Sequence, residues 1–201
     1  MRITSGNARG IVLDSPRGRL TRPATDFARQ AIFSSLGDFV CGTSVLDIFA
    51  GTGAYGLEAL SRGAREAVFV ERDRQALTSL KRNADSVLNA IRAAGNEAKI
   101  KILPIDSFAL PLRFNNELKF DLIFADPPYE MLRNFDTAIK ILNLIGNFLS
   151  SEGIAVLEAP SEFELFSGKG VLNFELTQIR RLGKKSKGKP TQLLISLKEN
   201  D

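Results

Sequence analysis

Asp126-Pro127-Pro128-Tyr129 is a stretch built to accept hydrogen bonds. Two consecutive prolines fix φ and remove two N–H donors, leaving carbonyls and a carboxylate rigidly aimed. Such a loop suits an amine. The Asp126 carboxylate and the Pro127 carbonyl can hold its two N–H groups and turn its lone pair toward an electrophile. They also stabilise the positive charge that develops on nitrogen. No proton has to leave before attack, which matters because the chain has no histidine and a single cysteine, Cys41. Ser-His-Asp and Cys-His mechanisms are therefore excluded, as are His/Cys zinc and iron–sulfur sites, and no metal is expected. Methylation at pyrimidine carbon 5, which uses a cysteine nucleophile, is disfavoured. Cys41, just before the first core strand, is expected to pack there. Tyr129 offers a flat face on which an extruded base can stack.

The second chemical segment is Asp47-Ile48-Phe49-Ala50-Gly51-Thr52-Gly53-Ala54-Tyr55-Gly56, an acid followed by a glycine-rich turn. Gly51 and Gly53 let the backbone turn sharply and approach a ligand without a Cβ in the way. Gly51 to Gly56 also matches the dinucleotide pattern GxGxxG, with Glu71 about 20 residues on. Asp47 argues against that reading, because a buried carboxylate repels a pyrophosphate at a helix N-terminus. S-adenosylmethionine carries an ammonium and a sulfonium and no phosphate, and it suits an acid here. The expected cofactor contacts are Asp47, Phe49, Ala50, Gly51, Thr52 and Gly53. Glu71, ending the second strand, can accept from both ribose hydroxyls. Asp106 and Ser107, ending the third, lie where the adenine belongs. A triphosphate-binding GxxxxGK[ST] is absent.

Strand and helix patterns alternate along the chain around these residues. Residues 1–13 read as a small extended or hairpin arm, broken at Ser15-Pro16-Arg17-Gly18. Thr25 can cap a helix with an apolar stripe of Phe27, Ala31, Ile32, Ser35 and Leu36, ending at Gly37. Strands are expected over 45–49, 67–70, 99–105, 120–125 and 154–158, and helices over 55–61, 73–94 and 134–149. The long helix presents Leu77, Leu80, Ala84, Val87, Leu88 and Ile91 on one face. This pattern gives an α/β fold with a parallel sheet covered on both faces. A final pair, 174–181 and 192–198, is joined by a loop too short for a crossover helix and must be antiparallel. Ligands in such a sheet lie at the carboxyl ends of the strands, where both chemical segments fall. The length suits one domain, 1–201, with an arm and helix over 1–37 and a core over 38–201.

Net charge is +4 but uneven: residues 1–29 carry +4, 30–168 carry −5 and 169–189 carry +6. Basic ends on an acidic body suggest a polyanion gripped at the periphery of the fold. The expected phosphate contacts are Arg2, Arg9, Arg17, Arg19 and Arg22, with Arg180, Arg181, Lys184, Lys185, Lys187 and Lys189. No apolar run approaches a membrane span, no signal-peptide pattern opens the chain, and the lone cysteine fits a reducing cytoplasm.

With these motifs placed, the chain resembles the bacterial guanine-N2 methyltransferases of small-subunit ribosomal RNA, the RsmD type. The resemblance runs nearly end to end. It covers the opening Met1-Arg2-Ile3…Gly6…Arg9-Gly10, the segment Arg22-Pro23-Ala24-Thr25-Asp26…Arg29…Ile32-Phe33, the stretch Asp47–Ala64, and Asp126–Tyr129. It implies a class I, Rossmann-like fold with a seven-stranded, mostly parallel sheet whose last strand is antiparallel. It also implies S-adenosylmethionine as donor and a guanine of 16S rRNA as acceptor, position 966 in common ribosomal numbering. The partner is then 16S rRNA or a small-subunit assembly particle, met by a monomer. Ala24, Phe27 and Gln30 stand where the family usually has Thr, Arg and Glu, and a Lys-rich stretch, 184–189, replaces its C-terminal Tyr-Gly-Thr-type turn. A DNA adenine-N6 methyltransferase would share both chemical segments, but this chain has no room between Tyr129 and Ile154 for a target-recognition insertion. A binding module with a vestigial cofactor site would be expected to have lost Asp47 or Asp126.

Overall fold

The computed structural model describes residues 1–16, 23–114, 118–165, 175–183 and 190–198. They divide into two compact units, Met1–Ser107 and Phe108–Asp201.

In the first unit, α1 (Pro23–Leu36) leads through a 3₁₀ turn, Gly37–Val40, into β1 (Ser44–Asp47), α2 (Ala54–Ser61), β2 (Glu66–Val70), α3 (Arg74–Ala93) and β3 (Lys99–Leu103). β1 pairs in parallel with β2, and β2 with β3. Every residue of β1 and all but Glu66 of β2 are buried, as a parallel sheet covered on both faces requires. β3 leaves Lys99 and Lys101 exposed, which protects a sheet edge from stray pairing. The α3 helix starts at an N-cap, Asp73, whose carboxylate accepts from Ala76 N at 2.8 Å. Its inner face buries Leu77, Leu80, Val87 and Ile91, each contributing roughly 1.5–3 kcal/mol.

α1 departs from expectation twice. It begins at Pro23, so Thr25 lies inside the helix and not at its cap; proline's fixed φ favours the first helical position. The buried face is Arg29, Ile32, Phe33 and Leu36, while Phe27 is 76% exposed. Cys41 is exposed as well, since Val40 takes the buried place at the end of the 3₁₀ turn.

The N-terminal arm is the hairpin expected. Arg2 bridges Val12, Ile3 N donates to Ile11 O, and Gly10 N donates to Ile3 O, both at 2.9 Å. It docks on α2 through a carboxylate with no exposure at all, Glu58. Glu58 accepts from Thr4 N (2.8 Å), Thr4 Oγ1 (2.7 Å) and Ser5 N (3.1 Å). It is also paired with Arg62 at 2.8 Å and Arg29 at 3.5 Å.

In the second unit the order is α4 (Leu110–Arg113), β4 (Phe120–Ala125), α5 (Tyr129–Arg133), α6 (Phe135–Phe148), β5 (Leu149–Pro160), β6 (Leu176–Leu182) and β7 (Pro190–Leu197). β4 and β5 are parallel, and β7 runs antiparallel to both β5 and β6. Strand order is β3-β2-β1 in the first unit and β4-β5-β7-β6 in the second. The chain thus has the seven-stranded, mostly parallel α/β fold expected, with an antiparallel last strand. β5 starts earlier than its apolar run, because Leu149 pairs with Phe120 before the register shifts to Leu122 with Ile154. No helix among the described residues is long and apolar enough to cross a membrane.

Candidate active site

β1 delivers Asp47 to its carboxyl end almost fully buried. Gly56 N, in the first turn of α2, donates to Asp47 Oδ2 at 3.1 Å. That single bond does not offset the loss of water: burial pushes the Asp47 pKa up to about 7, and the nearby Glu71 charge adds to it. A buried carboxylate with a second carboxylate nearby is a site that a cation would relieve.

The turn after Asp47 is closed by Ala50 N donating to Val70 O and Gly53 N to Ala50 O. The two glycines do different work. A Cβ on Gly51 would meet nothing within 4 Å, so this residue borders open space. A Cβ on Gly53, whose φ is +83°, would lie 2.3 Å from Leu80 Cδ1, so glycine here serves the turn and the packing of α3 as well. Thr52 is half-buried, and its carbonyl accepts from Asn83 Nδ2 at 3.0 Å. Phe49 is half-buried and Ala50 buried on the same turn.

Glu71 follows β2. Its Oε2 accepts from Gly51 N at 2.7 Å, and its Oε1 accepts from Arg72 N at 2.8 Å and Asp73 N at 2.7 Å. A carboxylate offers about four acceptor sites. Holding both hydroxyls of a ribose therefore requires one of these backbone bonds to be shared or released. Asp106 is ion-paired with Arg72 at 2.6 Å. Ser107 is buried and donates its hydroxyl to Ile48 O at 2.6 Å, bracing the end of β1. These two side chains thus reach the strand ends with partners of their own.

In the second unit, β4 ends at Ala125 and the acceptor loop follows. Asp126 and Pro128 are exposed, Pro127 is buried and Tyr129 half-buried. Pro128 O accepts from Met131 N at 2.9 Å and so starts α5. Tyr129, expected in the loop, opens that helix, and its hydroxyl donates to Glu158 Oε1 at 3.5 Å. Burial, then the charges of Glu158, Asp126 and Glu162, push the Tyr129 pKa up, so the phenol stays protonated.

Of the basic residues, Arg2, Arg9 and Arg180 are exposed. Arg181 departs from the expectation of a phosphate contact. It donates to Ser161 O at 3.1 Å and Phe163 O at 2.8 Å and pairs with Glu164 at 3.1 Å, clamping the segment after β5. Arg17, Arg19, Arg22, Lys184, Lys185, Lys187 and Lys189 lie outside the described residues.

The profile of the family described as "Conserved hypothetical protein 95" matches residues 1–187. The chain belongs to this family, the RsmD type. It is 36% identical over 162 residues to "Ribosomal RNA small subunit methyltransferase D" of Escherichia coli (strain K12), covering 81% of this chain and 76% of that one. It is 35% identical over 170 residues to YlbH of Bacillus subtilis, covering 82% and 85%. The solved structure of yhhF from Escherichia coli superimposes with a TM-score of 0.73 at 29% identity, covering 98% of this chain and 97% of that one.

For this RsmD-type chain the sequence reading missed three side chains that shape the site. Glu58 and Arg29 tie the arm, α1 and α2 together. Asn83 accepts from Asp14 N at 2.7 Å and donates to Asp14 O and Thr52 O, which pins the arm's end to the glycine turn. The signal for Glu58 was visible: an acid between Leu57 and Ala59 on an otherwise apolar helix. Asn83 interrupts the apolar face of α3 in the same way.

Proposed function

We propose that this chain transfers a methyl group from S-adenosylmethionine to the exocyclic N2 amine of a guanine in 16S rRNA, at the position the RsmD-type resemblance implies. The observation that carries the reading is Asp47. It is buried, it is raised to a pKa of about 7, and it stands beside a glycine turn that opens onto free space at Gly51. A nucleoside bearing an ammonium lowers the energy of that carboxylate, whereas a pyrophosphate raises it. The residues present therefore fit the donor, and when bound it would supply the methyl group on a sulfonium. Asp47 would face its ammonium, Gly51 its approach, and Glu71 its ribose. Phe49, Ala50, Thr52, Gly53, Asp106 and Ser107 complete the proposed contacts.

On the acceptor side, Asp126 and Pro127 O receive the two N–H groups of the amine, since Pro128 O is already engaged by α5. Tyr129 stacks its ring on the base, steadied by its hydrogen bond to Glu158. As the nitrogen takes the methyl group, the Asp126 carboxylate stabilises its positive charge, and the exposed carboxylate can take the proton that leaves afterwards. The names of the relatives support RNA over DNA, and Arg2, Arg9 and Arg180 supply exposed cations for phosphates. The protein then works as a cytoplasmic monomer on 16S rRNA or a small-subunit assembly particle, without a metal. Mass mapping of small-subunit rRNA from cells lacking the protein should show one N2-methylguanine lost. An unchanged guanine pattern, or loss of N6-methyladenine from DNA, would contradict the proposal.

A further inference from the structure

We infer that the cleft between the N-terminal arm and α1 holds an unpaired nucleotide of the RNA substrate, its base stacked on Phe27 and its phosphate held by Arg2 and Arg9. The inference rests on the RNA reading above and concerns a contact away from the reacting loop.

The cleft measures about 350 Å³ and is lined by Arg2, Arg9, Asp26, Phe27 and Gln30 over a floor that includes Ile3. That volume falls in the range of roughly 300–1,000 Å³ typical of small-ligand sites. Phe27 is the anomaly. Every other large apolar residue of α1, namely Ile32, Phe33 and Leu36, is buried, yet this ring is 76% exposed at the cleft. An exposed aromatic face beside two exposed guanidiniums is the arrangement that grips single strands, because every base has a π-face and every nucleotide a phosphate. Gln30, one turn along α1 and exposed, can both donate to and accept from a base edge. The carboxylate in the lining, Asp26, does not oppose a phosphate strongly, since Arg29 is paired with it at 2.9 Å.

The walls are also held in place before any ligand arrives. Arg29 donates to Arg2 O from α1, and Glu58 binds both Arg29 and the backbone of Thr4. One buried cluster thus fixes the arm and the helix to each other. The guanidiniums favour a polyanion over a protein surface of mixed charge.

The chain has no tryptophan, so Phe27→Trp introduces a single fluorophore at the cleft. Its emission should be quenched by single-stranded or loop RNA carrying the target guanine. Phe27→Ala should weaken RNA binding roughly 5- to 150-fold, the range for losing one base stack, with S-adenosylmethionine affinity unchanged. The ring is exposed, so the variant should fold. Replacing each flanking nucleotide in turn by an abasic one should find a position that weakens the wild type and has no further effect on Phe27→Ala. Wild-type RNA binding and methylation with an unaffected Phe27→Ala and a silent Phe27→Trp would overturn this inference alone. So would a Phe27→Trp response to small-subunit proteins and none to RNA. A wild type that neither binds nor methylates RNA would overturn the functional reading, and this inference with it.

Discussion

Replacing Asp47 by Asn should make the protein more stable at alkaline pH and less able to bind its donor. Burial raises the Asp47 pKa from 3.8 to about 7. Between those values the folded state keeps a proton that the unfolded chain has released. Stability attributable to this group therefore falls as pH rises through the window and levels off above about pH 7. At about 1.4 kcal/mol per pH unit the whole shift opposes folding by about 4 kcal/mol, and about 2 kcal/mol of that accrues between about pH 5.5 and 8. Asn cannot ionise, yet its carbonyl can still accept from Gly56 N. The stability of Asp47→Asn relative to wild type should accordingly improve by about 2 kcal/mol from pH 5.5 to 8, or roughly 4–8 °C in melting temperature for a chain of this length. Calorimetry on the same variant should show S-adenosylmethionine binding weakened about 10- to 150-fold, the worth of one charged hydrogen bond. Thermal melts of both proteins across that pH range test the first part. A difference that stays flat or narrows toward pH 8 would show that Asp47 is not a buried protonated acid, and undiminished donor affinity that it is not a donor contact.

Asp126→Ala should bind the donor like wild type while single-turnover methylation falls about 100-fold or more, as for removal of one preorganised electrostatic group; stopped quench assays with saturating donor would show it. Tyr129→Phe should stay within a few-fold of wild type in the same assay, because its hydroxyl makes one long hydrogen bond to Glu158 at 3.5 Å, whereas Tyr129→Ala should lose roughly tenfold or more with the base stack. Glu58→Ala leaves Arg29 buried without its inner carboxylate and strips Thr4 and Ser5 of their acceptor. Urea denaturation should record a loss of about 3–5 kcal/mol.

The fold was legible because its strands and helices have unmistakable periods. Val45-Leu46 and Leu122 to Ala125 are apolar runs of the kind buried in parallel sheets, and α3 carries its apolar stripe from Leu77 to Ile91, about four turns. The order of motifs along the chain also places Asp47 and Asp126 at strand ends. What escaped was long-range polar pairing. Periodicity places Phe27 on the inner face of α1, but the burial of Arg29 against Glu58 and Asp26 rotates that face and turns Phe27 outward. Arg181 reads as one more cation in a basic segment, and only the fold reveals that backbone carbonyls of Ser161 and Phe163 absorb it. Asp106 has the same history with Arg72. Charge counts register how many such groups exist and say nothing of which are already spent.

Methyl transfer to a guanine amine held by the loop Asp126–Tyr129 can be read directly on the RNA. Purified protein should be incubated with S-adenosylmethionine labelled with deuterium in its methyl group and with small-subunit rRNA lacking the modification. The RNA should then be digested and its nucleosides weighed. Label should appear in N2-methylguanosine alone, at one site, and about 100-fold more slowly with Asp126→Ala. Label in N6-methyladenosine, in a carbon-methylated pyrimidine, or equally in RNA and duplex DNA would contradict transfer to the guanine amine.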